Sequence, residues 1–458
     1  MSEAPSTDTT RSVKRSGIFG WMLFDWAAQP FHTLLITFIF ARYFAAEVAP
    51  DPETGQIWWG WMLAAVGLCI AVLSPIFGAI ADATGPRKPW MVAFSILALF
   101  GATMLWTAEP GGNALPVLFY FALALIGIEF ATVFNNAVMP DLVSREELGR
   151  LSGNGWALGY IGGVVSLILV LGLMVESSPG SGKTLLGLVP ILGLAEIPGG
   201  GERGAGPLTA LWYLAFVLPF FMFTPDTAKQ TRVAGAIRKG FSDLLETIRQ
   251  LPSRPSLFAY LGSSMFYRDA LNGLFAFGGI YAGGVLGWEA TQLGVFGIAT
   301  AVTGAVGAWI GGKADDKFGP KAVITFSIIV LIAVCICVVT TDRNMVLLMP
   351  VVDVPGGFAP ADIAFYICGC LIGAAAGPIQ AASRTLMADQ ADKGQMTEAF
   401  GLYALSGKAT AFLAPMLIAI ATDLFGQRLG ITPIILLFLI GLFLLPLVRQ
   451  NSGGQTDP

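Results

Sequence analysis

The chain has 458 residues, of which 55% are apolar and only 12% charged, with a formal net charge of −4 at neutral pH. Ordinary soluble domains carry about a quarter of their residues as charged side chains, so a soluble globular protein is excluded. The cations are scattered along the chain rather than gathered on one face, which removes nucleic acid as a partner.

The first sixteen residues are polar and rich in Ser and Thr, and they read as a disordered tail. The apolar run that follows is too long for a signal-peptide core and lacks a small-residue cleavage site. Apolar runs of about 20 residues then recur, each long enough at ~1.5 Å per residue to cross ~30 Å of hydrocarbon. Twelve are predicted, at 19–44, 57–81, 89–108, 115–139, 151–174, 207–223, 256–282, 291–312, 321–340, 361–387, 398–421 and 430–448. The fold class is therefore an all-α membrane protein with twelve transmembrane helices.

Between the sixth and seventh runs, Thr224 to Pro255 breaks the apolar rhythm. Ile237, Phe241, Leu244, Leu245, Ile248 and Leu251 there follow helical spacing, with Arg238, Lys239 and Arg249 off the stripe. This predicts an amphipathic helix on the inner leaflet that tethers two halves. The predicted organisation is a tail over 1–16, a six-helix bundle over 17–224, a linker over 225–255, a second bundle over 256–448 and a tail over 449–458. Eighteen Lys and Arg fall on the side of the termini and four (Lys183, Arg203, Arg343, Arg428) on the other. Cytoplasmic loops accumulate such residues, so both termini are expected in the cytoplasm.

The halves repeat one another. GAIADATGPRK at 78–88 and GKADDKFGPK at 312–321 share the frame G-x-x-x-D-x-x-G-P followed by a cation, pairing Gly78 with Gly312, Asp82 with Asp316, Gly85 with Gly319 and Arg87 with Lys321 at a spacing of 234 residues. Asp25 matches Asp269 at a spacing of 244, and Asp141 matches Asp389 and Gly153 matches Gly401 at 248. Parallel repeats of this kind are a transporter plan. Gly85 and Gly319 supply backbone freedom for short turns, and Asp82 and Asp316 are anions that can meet the positive start of a neighbouring helix. With Lys88 and Lys317 beside them, these residues are the candidate cytoplasmic gate.

A charge inside the membrane costs about 2.5–3.5 kcal/mol on insertion scales and needs a reason. The interior candidates are Asp25, Glu129, Arg268, Asp269, Arg384 and Lys408. Helical spacing puts Asp25, Gln29 and His32 on one face, Glu129, Thr132 and Asn136 on another, Asp269 and Asn272 on a third, and Gly373, Gly377, Gln380 and Arg384 on a fourth. Of the adjacent Arg268 and Asp269 only one can look into a cavity, and the match with Asp25 favours Asp269. Arg384 can instead snorkel to the surface, Glu129 with Lys408 can be a purely structural pair, and His32, the only histidine, can be a packing residue or a proton carrier.

The two G-x-x-x-D-x-x-G-P-R/K loops resemble the signature loop of the major facilitator superfamily. FDWAAQPF at 24–31, GAIADATGPRKPW at 78–90, RLSGNGWALGYIGG at 150–163, QAASRTLMAD at 380–389 and FGLYALSGK at 400–408 resemble its vacuole-effluxer-like, or "unknown major facilitator", branch. The resemblance implies alternating access, with helices 1, 4, 7 and 10 lining a central cavity. It also implies that Asp82 meets helix 11, that Asp316 meets helix 5, and that the protein exports solutes, with amino acids the leading class. Arg384 or Lys408 would then hold a carboxylate, and Asp25, Glu129 or Asp269 would meet an ammonium group or exchange a proton. A drug or sugar carrier is the alternative, and a membrane enzyme on a lipid-linked substrate a more distant one. A monomer in a bacterial inner membrane, bound by lipid and a small solute and coupled to protons, is expected. No cofactor or metal is. SPGSGKT at 178–184 lacks the first glycine of a nucleotide-binding loop, and the cysteine pairs 335/337 and 368/370 point to opposite helix sides.

Overall fold

The computed structural model describes residues 13–177, 180–226, 242, 245–246, 249–286, 288, 290–351, 359–392 and 394–449. Residues 1–12 and 450–458 of the tails and most of the linker, including much of the amphipathic helix expected over 237–251, lie outside the described residues. Ser178 and Pro179 of the SPGSGKT segment do too.

Thirteen long helices are described: α1 Arg15–Val48, α2 Pro52–Thr84, α3 Lys88–Met104, α4 Ala114–Val138, α5 Leu148–Leu173, α6 Gly200–Phe223, α7 Pro255–Val285, α8 Ala290–Phe318, α9 Pro320–Val339, α10 Pro360–Gln390, α11 Met396–Ala409, α12 Leu413–Gly430 and α13 Thr432–Leu444. A two-stranded hairpin, Met345–Val346 with Met349–Pro350, interrupts one loop. Among the described residues, eleven spans satisfy length and apolar composition for crossing a membrane. The 31-residue α7 is not among them, because Arg268, Asp269 and Asn272 sit inside it; by length alone it is the twelfth crossing.

Local chemistry explains the boundaries. Asp51 caps α2 by accepting the Thr54 N–H at 2.9 Å, and Pro52 starts the helix where a missing N–H costs nothing. Gly85 (φ 97°) and Gly319 (φ 82°) make the tight turns that end α2 and α8. Inside α1, Pro30 cannot donate to the Trp26 carbonyl, which instead takes the Trp212 indole N–H at 3.0 Å; the ladder beyond it, Phe31–Phe38, widens to π-helical bonding.

Two expectations about helices change. The sixth crossing begins at Gly200, not at 207, because the glycines that suggest a loop are packing points: a Cβ on Gly201 would stand 2.3 Å from the Met174 carbonyl and one on Gly206 2.5 Å from the Ala102 carbonyl. The eleventh crossing is discontinuous. It stops at Ala409, turns through Thr410–Phe412 and resumes at Leu413.

The helices α1–α6 and α7–α13 form two bundles that meet along α5 with α8 and α10, and along α2 with α11. Glycines bring these helices together. A Cβ on Gly153 would lie 2.6 Å from Gly312 Cα, and one on Gly401 2.7 Å from Pro75 Cα, so the repeat-related glycines serve repeat-related contacts. Leu68, Phe326 and Phe443 are 67%, 69% and 76% exposed, an apolar surface suited to lipid. Replacing Gly153 with leucine is expected to overpack the α5/α8 contact by about 1–3 kcal/mol and lower the melting temperature in detergent. An unchanged melting temperature would show that the bundles do not meet there.

Candidate functional site

At the end of the bundle carrying the two repeated loops, each half grips the other through a carboxylate. Asp82 Oδ2 accepts the Glu398 N–H at 2.9 Å, and the neighbouring Thr397 N–H also points to it. Asp316 Oδ1 accepts the Arg150 N–H at 2.8 Å, with the Gly149 N–H beside it. These amides lie in the first turns of α11 and α5, where no intrahelical acceptor exists and the helix dipole is positive. Arg150 and Glu398 stand 248 residues apart, the spacing of the repeat, so the two bonds are related by the pseudo-symmetry of the halves.

Side chains reinforce this end unequally. Arg87 donates to Asp141 at 2.6 Å, lies 3.6 Å from Asp82 and reaches across to Thr397 Oγ1 at 2.9 Å. Arg145 pairs with Asp389 across the halves at 2.8 Å. Lys88, Lys317 and Lys321 do not cross: Lys88 binds the Phe221 carbonyl, Lys321 those of Pro446 and Val448, and Lys317 sits over the Phe318 ring. Gly78 contributes closeness, since a Cβ there would lie 2.6 Å from the Thr397 carbonyl.

Deeper in the bundle, Arg384 of α10 is 4% exposed and fully engaged. Nη1 donates to Asp25 at 2.9 Å and Asn136 at 3.3 Å, Nε to Ser152 Oγ at 3.0 Å and Nη2 to the Ser152 carbonyl at 2.8 Å. The indoles of Trp21 and Trp156 face the guanidinium at 5.4 and 5.3 Å. Arg384 does not snorkel. It is a clasp joining α10 to α1, α4 and α5.

A second pair crosses the same interface. Lys408 Nζ lies 3.3 Å from Glu129 Oε1, with side chains 30% and 22% exposed, and His32 stands within electrostatic reach of both. In each pair the anion belongs to the first half and the cation to the second. The Glu129–Lys408 pair is the more open and the less saturated with hydrogen bonds. Gln380 reaches the Tyr160 hydroxyl at 3.1 Å, and Gln29 packs beside Gly159 and Gly163 on α5.

Asp269 does not face the cavity as expected. It is fully buried, and its Oδ2 caps the resumed helix α12 by accepting the Ala414 N–H at 3.0 Å. The face of α7 that carries the partly exposed Arg268 also carries the exposed Asn272, four residues on. Arg268 stacks on Tyr403 at 4.0 Å and donates to its carbonyl. Gly373 and Gly377 are contacts with α8, where a Cβ would meet the Thr300 and Gly304 carbonyls at 2.0 and 2.4 Å, not part of a polar stripe. Sequence reasoning missed Ser152, Trp21, Trp156 and Tyr160; the only signal was that Ser152, Trp156 and Tyr160 recur four residues apart in RLSGNGWALGYIGG. Among the described residues no cluster of His, Cys, Asp and Glu could hold a metal ion.

The clasp yields a stability prediction. Asp25→Asn, which removes the counterion of a buried guanidinium, is expected to cost on the order of 3–5 kcal/mol, whereas the double change Asp25→Asn with Arg384→Met recovers most of it. Thermal unfolding of both variants in nanodiscs checks this; a double variant no more stable than the single one would contradict it.

Comparison with known proteins agrees with this architecture. The chain is 24% identical over 445 residues to an uncharacterized MFS-type transporter, YxiO, of Bacillus subtilis (strain 168), covering 95% of this chain and 96% of that protein. It is 23% identical to autophagy-related protein 22 of Cryptococcus neoformans over 317 residues, 67% of this chain and 51% of that one. Among solved structures, the proton:xylose symporter XylE superposes with a TM-score of 0.68 at 14% identity, covering 97% of each chain, which fixes the major facilitator fold. A model of the family described as "Vacuole effluxer Atg22 like" matches residues 62–457. The chain therefore belongs to the Atg22-like vacuole effluxer family of major facilitator transporters, and it is not an enzyme.

Proposed function

We propose that this transporter exports a small zwitterion of the amino-acid class by alternating access, as a monomer in a cytoplasmic membrane with both termini inside. The observation that carries the reading is the half-open Glu129–Lys408 pair, one charge from each half. A zwitterion presents both complements. Its carboxylate can take Lys408 as its ammonium takes Glu129, so neither charge is stranded in a low-dielectric cavity at any stage. His32 beside the pair is the group placed to carry a proton during the exchange. The excess of Lys and Arg at the end of the termini supports the orientation.

In this reading the gate bonds of Asp82 and Asp316 and the Arg384 clasp keep the cytoplasmic side shut. The halves rock apart there only when those bonds break, and the discontinuity at Thr410–Phe412 allows the eleventh crossing to bend as they do. A sugar carrier is the second reading, favoured by the likeness to a xylose symporter and by the amides of Gln29, Asn136, Asn272 and Gln380.

Counterflow in proteoliposomes discriminates the two. Vesicles loaded with single unlabelled amino acids should take up the labelled form saturably, and Lys408→Ala should abolish that uptake. Exchange of pentoses or hexoses in the same vesicles, with none across the amino-acid panel, would replace the zwitterion reading by the sugar one.

A further inference from the structure

Beside the gate aspartate of the second half stands a second acid, Asp315, that none of the interactions described so far uses. It is 3% exposed, and its Oδ2 has no hydrogen-bond partner. The matching place in the first half, 234 residues earlier, is the fully buried Ala81. The repeat thus puts a methyl group on one side of the molecule and a carboxyl group on the other, in equivalent packing.

Among the described residues that carboxyl group meets no counter-charge. On its own helix it faces Asp316, and on α10 it faces Asp389 and the hydroxyl of Thr385. Asp389 already holds Arg145, and Arg150 is engaged by Glu147 and Asp316. On α5 it packs against Gly149, so closely that a Cβ there would lie 2.5 Å from Asp315 Cγ. Gly149 is the neighbour of Arg150, whose N–H binds Asp316. Asp315 is therefore pressed into the α5/α8 contact itself. Its burial depends on the two halves being together.

We propose that Asp315 is a proton-binding site of the cytoplasmic gate, occupied when α5 and α8 meet and emptied toward the cytoplasm when they part. This rests on the gate reading above. A desolvated carboxylate among other carboxylates is stable only in its neutral form. Closing the gate therefore binds one proton at Asp315, and opening it exposes the group to water and releases that proton. The closed state gains as cytoplasmic pH falls and loses as it rises. In the first half Ala81 takes the place of this second acid, so the asymmetry of the repeat confines the site to the second half. Cytoplasmic acidification holds the transporter shut on the inner side.

The test is a distance measurement in nanodiscs by pulsed electron paramagnetic resonance, with spin labels at Ser144→Cys and Lys313→Cys after replacement of the five native cysteines. The wild-type gate should show a short and a long population whose ratio shifts toward the short one as pH falls, by up to about tenfold per pH unit for one proton. Asp315→Asn should remove that dependence while leaving the short population in place, and Asp389→Asn should keep it. Asp315→Ala, which copies the first half, serves the same purpose if the asparagine variant does not fold. Two populations that ignore pH in the wild type, or that titrate unchanged in the Asp315 variants, would overturn the proton site while leaving the gate. A single distance at every pH would overturn the gate reading and this proposal with it.

Discussion

The first four N–H groups of a helix have no acceptor within it, and leaving them bare in or near lipid is costly. This protein meets that demand in trans. The amides at the start of α5 are satisfied by Asp316 of the second half, and those at the start of α11 by Asp82 of the first. Each half is thus completed by the other, and the completion is lost as one event when they separate. A carboxylate at a helix start makes a charge-assisted bond, stronger than a neutral one yet made of only a few atoms. Such a contact holds a state firmly and still lets it go.

The same rule of mutual completion governs the interior charges. Asp25 with Arg384, and Glu129 with Lys408, place the anion on the first half and the cation on the second. The two pairs differ in saturation. Arg384 spends its donors on Asp25, Asn136 and Ser152 between two indoles, so it fastens the bundles. Lys408 has one acidic partner and a share of solvent, so its charge is held far less tightly than that of Arg384. Asp315 and Asp269 stand outside this rule: both are buried acids with no counter-charge among the described residues, and Asp269 takes the Ala414 N–H instead.

Much of the fold was legible because lipid imposes a strong and simple code. Apolar runs of spanning length mark the crossings, and the doubled G-x-x-x-D-x-x-G-P loop marks the repeat. The errors have local causes. Glycines from Gly200 to Gly206 look like a loop in the sequence, but they admit neighbouring backbone and continue α6. The turn at Thr410–Phe412 contains no proline or glycine itself; the signal for the break in the eleventh crossing is Pro415, in the first turn of α12, which has no N–H for the Ala411 carbonyl. The residue types of the site were legible and their directions less so. Asp269 and Arg268 are adjacent, and only packing decided that Asp269 caps α12 while Arg268 turns to Tyr403. Beyond the four-residue recurrence of Ser152 and Trp156, the roles of Ser152, Trp21 and Trp156 were not legible, because a polar or aromatic residue in a spanning helix gains meaning only from the guanidinium beside it.

The central claim is that each half's gate carboxylate protects backbone amides of the other. Amide hydrogen exchange read by mass spectrometry tests it most directly, by following the peptides that contain Gly149 and Arg150 and those that contain Thr397 and Glu398. Asp82→Asn should speed exchange at Thr397 and Glu398, and Asp316→Asn should speed it at Gly149 and Arg150. Unchanged exchange at both pairs, or deprotection confined to the mutated loop itself, would contradict it.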